Sequence, residues 1–167
     1  MTFRVETLAP SHVGLLEALE GRSIGGIAQS GATPAELKEA LGAADAWVLG
    51  ALADAADAPL LVGFILLSRK PFDAEIQAVG VLPERRGQGV GDALVRAARR
   101  MAERFNSERL LLEVRASNAA AIALYERHGF SVDGRRKDYY PPSSSSASAR
   151  REDALLMSLL LAAEPGA

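Results

Sequence analysis

Hydrophobic and polar positions change period several times along the chain, and each change marks an element. Residues 3–8 alternate, with Phe3, Val5 and Thr7 set against polar neighbours, which is a strand pattern. Pro10 and Ser11 then open a helix to about Leu19, with Leu15, Leu16 and Leu19 at helical spacing. The glycine-rich stretch 21–31 breaks that pattern. Thr33-Pro34-Ala35-Glu36 has the form of a helix start: Thr33 as N-cap, Pro34 in the first turn and Glu36 closing a capping box. That helix is expected to end near Gly42. Residues 47–52 and 60–68 read as two strands joined by the alanine- and aspartate-rich turn 53–59, and residues 75–82 as a further strand.

The turn 86–91 leads into an amphipathic helix reaching about Phe105. Val90, Leu94, Ala97, Met101 and Phe105 form its apolar stripe, with Arg96, Arg99, Arg100 and Glu103 outside. Residues 109–115 are an apolar strand. Ser117 and Asn118 cap the next helix, which stops at Gly129 after His128. Residues 130–132 begin a strand, and 154–161 form the last one. The order β-α-α-β-β-β-α-β-α-β-β predicts an α/β protein around one mixed sheet, flanked by about four helices. Residues 1–167 read as one domain, with the serine-rich run 143–149 as a mobile surface loop.

Composition narrows the classes. Apolar residues make up 49% of the 167 and charged ones 24%, and the net charge is −2, so bulk electrostatics point to neither nucleic acid nor membrane. Residues 1–10 carry no basic-then-apolar leader, and no apolar run approaches transmembrane length. The absence of cysteine removes disulfides, thiolate metal sites and a cysteine acyl-enzyme. With only His12 and His128, a metal site or a Ser-His-Asp triad is hard to build, and a cytoplasmic, metal-free protein is expected. A polyanionic ligand would have to be met by local basic groups and backbone dipoles.

One segment offers such groups. A strand, a glycine-rich turn and a helix in succession present free backbone N–H groups to phosphate. In Arg86-Gly87-Gln88-Gly89-Val90-Gly91 three glycines allow positive φ and close approach, and Arg85 and Arg86 add charge. Asp92 stands where a dinucleotide fingerprint needs its third glycine, and no GK[ST] follows, so neither a Rossmann loop nor a nucleotide P-loop fits. On the loop alone, phosphate binding and a tight β–α connection that binds nothing stay equally open.

Arg86-x-x-Gly89-x-Gly91, after a strand and before a helix, resembles the R/Q-x-x-G-x-G/A motif of the GNAT acetyltransferase superfamily. In that family the loop amides hold the CoA pyrophosphate. The resemblance therefore implies acetyl-CoA as acyl donor, bound by Arg86, Gly87, Gln88, Gly89, Val90, Gly91 and Asp92. Backbone groups of Val79, Gly80 and Val81 would meet the pantetheine arm. A longer stretch, Leu112-Glu113-Val114-Arg115-Ala116-Ser117-Asn118-Ala119-Ala120-Ala121-Ile122-Ala123-Leu124-Tyr125-Glu126 followed by Gly129-Phe130, is similar to the bacterial ribosomal-protein-alanine N-acetyltransferases. Tyr139-Tyr140-Pro141 and Glu152-Asp153-Ala154 match that family's C-terminal pattern. The likeness covers residues 75–160, about half the chain. One departure stands out: the family carries an aromatic, proline-containing segment between the first two helices, whereas residues 23–31 offer only Ile24 and Ile27 as large apolar side chains.

Acetyl transfer to an amine needs a deprotonated nucleophile, a polarised thioester carbonyl and a proton for the departing thiolate. Without cysteine, direct attack by the amine is the simplest route. On the strand 109–115, Leu110, Leu112 and Val114 share one face and Leu111, Glu113 and Arg115 the other. A charged glutamate in such a strand costs free energy to bury, the circumstance that suits proton transfer, although pairing with Arg115 or another arginine is the competing reading. The resemblance makes Glu113 the proton acceptor, with Glu75 as second choice on the acceptor side. Asn118, Ala121/Ile122 and Tyr125 lie at helical spacing, and a phenol stays protonated at neutral pH. On the residues alone Tyr125 reads rather as a core tyrosine packed under the sheet; the resemblance makes it the general acid and adds a hydrogen bond from Asn118 to the CoA arm. Tyr139 and Tyr140 either wall an acceptor peptide or pack along an edge strand. His128 reads as a helix C-terminal residue and His12 as a surface residue, neither catalytic.

The implied protein is a GNAT-fold N-acetyltransferase whose acceptor is a protein N-terminal α-amino group. A small-molecule amine such as a polyamine, an aminoglycoside or an amino-acid-like compound is the alternative, and a non-catalytic acyl-CoA-binding module a third. Oligomeric state stays open.

Overall fold

The computed structural model describes residues 2–22, 32–142 and 149–162, so the readings made over 23–31 and 143–148 lie outside the described residues. In chain order the elements are β1 (Phe3–Thr7), α1 (Val13–Arg22), α2 (Pro34–Ala40), β2 (Ala46–Ala53), β3 (Leu60–Arg69), β4 (Ala74–Val81), α3 (Val90–Arg104), β5 (Arg109–Arg115), α4 (Ala119–Arg127), β6 (Ser131–Tyr140) and β7 (Glu152–Leu160). This is the expected order. Local chemistry sets the helix ends: Thr33 Oγ1 accepts from the Glu36 amide at 3.2 Å, and Glu36 Oε2 accepts from the Thr33 amide at 2.7 Å. Asn118 Oδ1 accepts from the Ala121 amide at 3.1 Å, and Gly129 (φ +90) ends α4.

Two readings of the first helix need correction. Pro10 opens only a single 3-10 turn, Pro10–His12; α1 proper starts at Val13 and runs through Gly21 to Arg22. His12 does not simply face water. Its half-buried ring accepts from the Ala9 amide at 2.8 Å and closes that turn.

Seven strands form one mixed sheet in the order β1-β2-β3-β4-β5-β7-β6. All neighbours are antiparallel except β4 and β5, which are parallel and joined by α3 as the crossover. That parallel pair is brief: Ala74, Glu75 and Ile76 face Leu110, Leu111 and Leu112, and beyond them the two strands no longer pair with each other, although β4 stays paired with β3 and β5 with β7. At the same level the β3–β4 register slips, with Leu66 opposite Ala78 and Leu67 opposite Ile76, which leaves Gln77 as the extra residue. A bulge bends its strand; here it turns β4 away from β5 and opens a seam in the sheet.

β2 and β3 are near-continuous apolar runs because both faces are covered, and residues 61–68 are all buried. α1 and α3 pack on β3, and α2 on β2. A Cβ on Gly63 would lie 2.9 Å from Val90 and 3.3 Å from Leu94, so α3 sits close against the sheet. Its buried face is rotated from the expected stripe. Val90, Leu94, Val95, Ala98 and Ala102 are buried, while Ala97, Met101 and Phe105 pack half-buried on the rim. Small residues at 98 and 102 permit the close approach, and Phe105 finds partners outside the core in Trp47 (ring centroids 4.6 Å apart) and Arg69. Among the described residues no helix is long and apolar enough to cross a membrane.

Candidate active site

β4 leaves the sheet through a 3-10 turn, Pro83–Arg85, and the glycine loop then feeds α3. Gly87 and Gly89 adopt positive φ (+73 and +84), with open space where a Cβ would stand. Gly91 differs from the expectation: its φ is not positive, and a Cβ there would press on Leu124 of α4 at 3.2 Å. Two glycines shape the loop, and the third lets two helices meet. The amides of residues 87–92 make no backbone hydrogen bond among the described residues, which for 89–92 is what the start of a helix dictates. Gln88 turns away from the cleft, donating from Nε2 to the Glu84 carbonyl at 3.2 Å.

Asp92, in the first turn of α3, lies 2.9 Å from His128 Nε2 and 3.4 Å from Arg127. Partial burial alone would raise its pKa, but the His128 hydrogen bond and the Arg127 charge outweigh this and hold the carboxyl below its ordinary value. His128 thus ties the end of α4 to the start of α3, beyond favouring its own helix dipole.

The seam between β4 and β5 opens into a cleft of about 1100 Å³. Its walls are residues 76–81 of β4, the loop with Arg85, Arg86, Gly87, Gly89, Val90, Gly91 and Asp92, residues 113–115 of β5, and α4 with Asn118, Leu124 and Tyr125. A second groove of about 470 Å³ is lined by Glu36 and Glu39 of α2, Asp45, Glu75 and Tyr139. Ile76, Gln77, Glu113 and Tyr140 line both. The two spaces therefore adjoin where the strands separate.

Glu113 stands at this junction with its side chain one-quarter exposed (25%), and its ion-pair partner is Arg136 at 3.5 Å rather than Arg115. Tyr125 is 6% exposed and packs its ring against Phe130. Burial, and then neighbouring Tyr140, push its pKa up to about 12. The Tyr125 ring is buried, and the residue also forms part of the cleft wall. Burial also raises the pKa of Tyr140, helped by the charge of Glu113 and by Tyr139 and opposed by Arg115 and Arg136. Tyr140 thus feels the charge of Glu113 and acts in turn on Tyr125. Tyr139 meets Tyr140 edge-on (4.9 Å) and carries Arg136 over its exposed ring. Both tyrosines end the edge strand β6, so they are edge residues and groove wall alike.

Of the residues read from the sequence, Val79, Gly80, Val81, the loop except Gln88, Glu113, Asn118 and Tyr125 share the larger cleft, and Glu75, Tyr139 and Tyr140 line the smaller groove. Gln77, Arg115, Ser117 and Arg127 also line the cleft, and no sequence motif marks them as site residues. Gln77 donates to buried Ser68 Oγ at 3.1 Å. Strand alternation from Glu75 and Glu113 would have put Gln77 and Arg115 on the same face, but the bulge and the seam leave no local sequence signal. Among the described residues, no group of three or more His, Cys, Asp or Glu is placed to hold a metal ion.

A family model described as "Acetyltransferase (GNAT) family" matches residues 20–130. The [ribosomal protein bS18]-alanine N-acetyltransferase of Escherichia coli K12 is 43% identical over 67 residues, 40% of this chain and 45% of that protein. A mycothiol acetyltransferase of Corynebacterium efficiens is 38% identical over 84 residues, 50% of this chain and 28% of that protein. The chain thus spans less than half the length of these curated relatives. The crystal structure of the E. coli ribosomal-protein-S18-alanine N-acetyltransferase superposes with a TM-score of 0.77 at 25% identity, covering 99% of both chains.

Proposed function

The chain belongs to the GNAT acetyltransferase family, and from that premise we propose that it transfers acetyl from acetyl-CoA directly to a primary amine, foremost a protein N-terminal α-amino group of the ribosomal-protein-alanine type. The observation that carries this reading is the meeting of two spaces at Glu113: a large cleft beginning at a phosphate-type loop, and a separate groove on the other side of the seam. The fit of the donor rests on the unsatisfied loop amides and the arginines at the cleft mouth.

In this reading the loop amides and Arg86 hold the pyrophosphate, the backbone of Val79, Gly80 and Val81 aligns the pantetheine arm, and Asn118 supports it from α4. The amine reaches the thioester from the groove side, between Glu75, Tyr139 and Tyr140. A C–N bond forms and the C–S bond breaks. Glu113 takes the proton that the amine gives up, and Tyr125 supplies one to the departing thiolate. Because burial keeps Tyr125 protonated, it is a donor at every physiological pH. A cytoplasmic location goes with this reading, since ribosomal proteins and acetyl-CoA share that compartment.

One observation favours a second acceptor class. Glu36, Glu39, Asp45, Glu75 and Glu113 give the groove an acidic lining, which suits a multiply charged small amine as well as a basic peptide. One experiment separates them: acetyl-CoA is offered with a panel of N-terminal peptides and, separately, polyamines and aminoglycosides, and free thiol and acetylated product are measured. N-acetylated peptide with matching thiol upholds the first reading. Product from small amines alone moves the assignment to the second, and no product from any amine despite acetyl-CoA binding leaves a non-catalytic binding module.

A further inference from the structure

The ladder between β6 and β7 breaks before the two tyrosines: Arg136 faces Ala154, and pairing resumes only at Tyr140 opposite Glu152. Within the break Asp138 has a left-handed backbone (φ +52). Side chains replace the missing ladder bonds. Asp153 Oδ1 accepts from the Asp138 amide at 3.0 Å, and Arg151 donates to the carbonyls of Asp138 and Tyr139, both at 2.9 Å. Such a bulge re-aims the residues after it.

The end of β6 beyond this bulge is fastened to β5. Arg115 Nη1 donates to the Pro141 carbonyl and to Glu152 Oε2, each at 2.8 Å, and its guanidinium lies 4.7 Å over the Tyr140 ring. The other oxygen of Glu152 accepts from Ser117 Oγ at 2.5 Å. One carboxylate therefore joins the start of the α4 segment to the end of β6, with Arg115 between them. Arg115 and Ser117 lie on the cleft wall, Tyr140 lies on both spaces, and Glu152 lines neither. Nη1 of Arg115 serves the carboxylate and the carbonyl while the guanidinium plane lies over the Tyr140 ring, and a lysine has no such plane to lay on the ring.

We propose that Ser117, Glu152 and Arg115 form a positioning relay that fixes Tyr140 and the Pro141 carbonyl as the acceptor wall in register with Glu113. The proposal rests on reading the smaller groove as the acceptor side. The relay joins three segments distant along the chain, 115–117, 140–141 and 152, through direct contacts. None of the three relay residues handles a proton in the reaction; they act through Tyr140.

Glu152→Gln tests it, because it keeps the shape but removes the charge that holds Arg115. Steady-state kinetics with an N-terminal peptide at saturating acetyl-CoA should show the acceptor KM rising roughly tenfold or more, the scale of a lost charge-assisted hydrogen bond. The calorimetric Kd for acetyl-CoA should stay within about twofold of wild type, and amide exchange over residues 136–140 should accelerate while residues 87–92 keep their rates. Arg115→Lys should resemble Glu152→Gln, whereas Glu152→Asp should recover part of the acceptor KM. Unchanged acceptor KM and unchanged exchange in Glu152→Gln overturn the relay. A parallel rise in the acetyl-CoA Kd also overturns it, in favour of general loosening. If wild type acetylates no N-terminal peptide, the acceptor reading fails by itself. The exchange comparison then still decides the relay: acceleration confined to 136–140 upholds it, and none overturns it.

Discussion

Tyr125 combines burial with a place on the cleft wall, and each has a measurable consequence. Its phenol titrates near 12 in the folded chain against about 10 when unfolded, so the unfolded state loses this proton first as pH rises. The stability linked to this group is complete below pH 10 and disappears as pH climbs to about 12, a loss of roughly 3 kcal/mol. Tyr125→Phe should flatten this part of the alkaline unfolding curve measured by circular dichroism. It should also lower kcat roughly 10²-fold by removing the proton donor, with acetyl-CoA affinity retained. Wild-type turnover in the phenylalanine variant would mean that the thiolate leaves without help from this hydroxyl. Glu113 makes the complementary prediction. A peptide α-amine has a pKa of about 8, so a base matters below that pH and becomes redundant above it. Glu113→Gln should slow turnover strongly near pH 7, and the deficit in a pH–rate profile should shrink above pH 8. An equal deficit at all pH values would reassign Glu113 to positioning or to its pairing with Arg136.

The loop and α3 act as one element. Gly89 is the N-cap, its φ of +84 is unfavourable for a β-branched residue, and no side chain fills the space beside it. Gly89→Val should therefore reshape the loop and project a side chain where phosphate would approach. Calorimetric titration should detect no acetyl-CoA binding, while far-ultraviolet circular dichroism stays native. Arg86→Ala should weaken binding far less, because it removes one solvent-exposed charge and leaves the amides in place. Undiminished affinity in a folded Gly89→Val protein would remove the loop from the binding site. The sequence displayed this element well, since a glycine turn before an amphipathic helix is a local pattern. It did not display the rotation of α3 toward Val95, Ala98 and Ala102, or the use of Gly91 to admit Leu124. Both depend on what packs opposite.

At the scale of the whole molecule, the strand pairing that joins β1–β4 to β5–β7 among the described residues is the short parallel stretch at residues 74–76 and 110–112, extended by the hydrogen bond from the Glu108 amide to the Phe72 carbonyl and by the Arg109–Asp73 ion pair. A ligand filling the seam would touch both halves, through β4 on one side and β5 and α4 on the other. Saturating acetyl-CoA should therefore slow amide exchange on the C-terminal half of β4 and on α4 together. It should raise the unfolding free energy by about 2.7 kcal/mol at a hundredfold excess over Kd. Protection confined to the loop would show that the seam is not bridged.

The sequence alone determined the order of elements, the capping box at Thr33, the Asn118 cap, the glycine loop and the alternation that sets Glu113 apart from Leu112 and Val114. All of these arise between residues a few positions apart, where backbone geometry and side-chain period act directly. Tertiary structure decided the rest. It put Gln77 in a bulge, separated β4 from β5, gave Glu113 to Arg136 rather than Arg115, and brought Glu152 to Arg115 and Ser117 from 37 and 35 residues away. Those outcomes depend on which strands become neighbours and on where their registers slip. A strand's own residues record its two faces; its partners come from the way the whole sheet closes around the core.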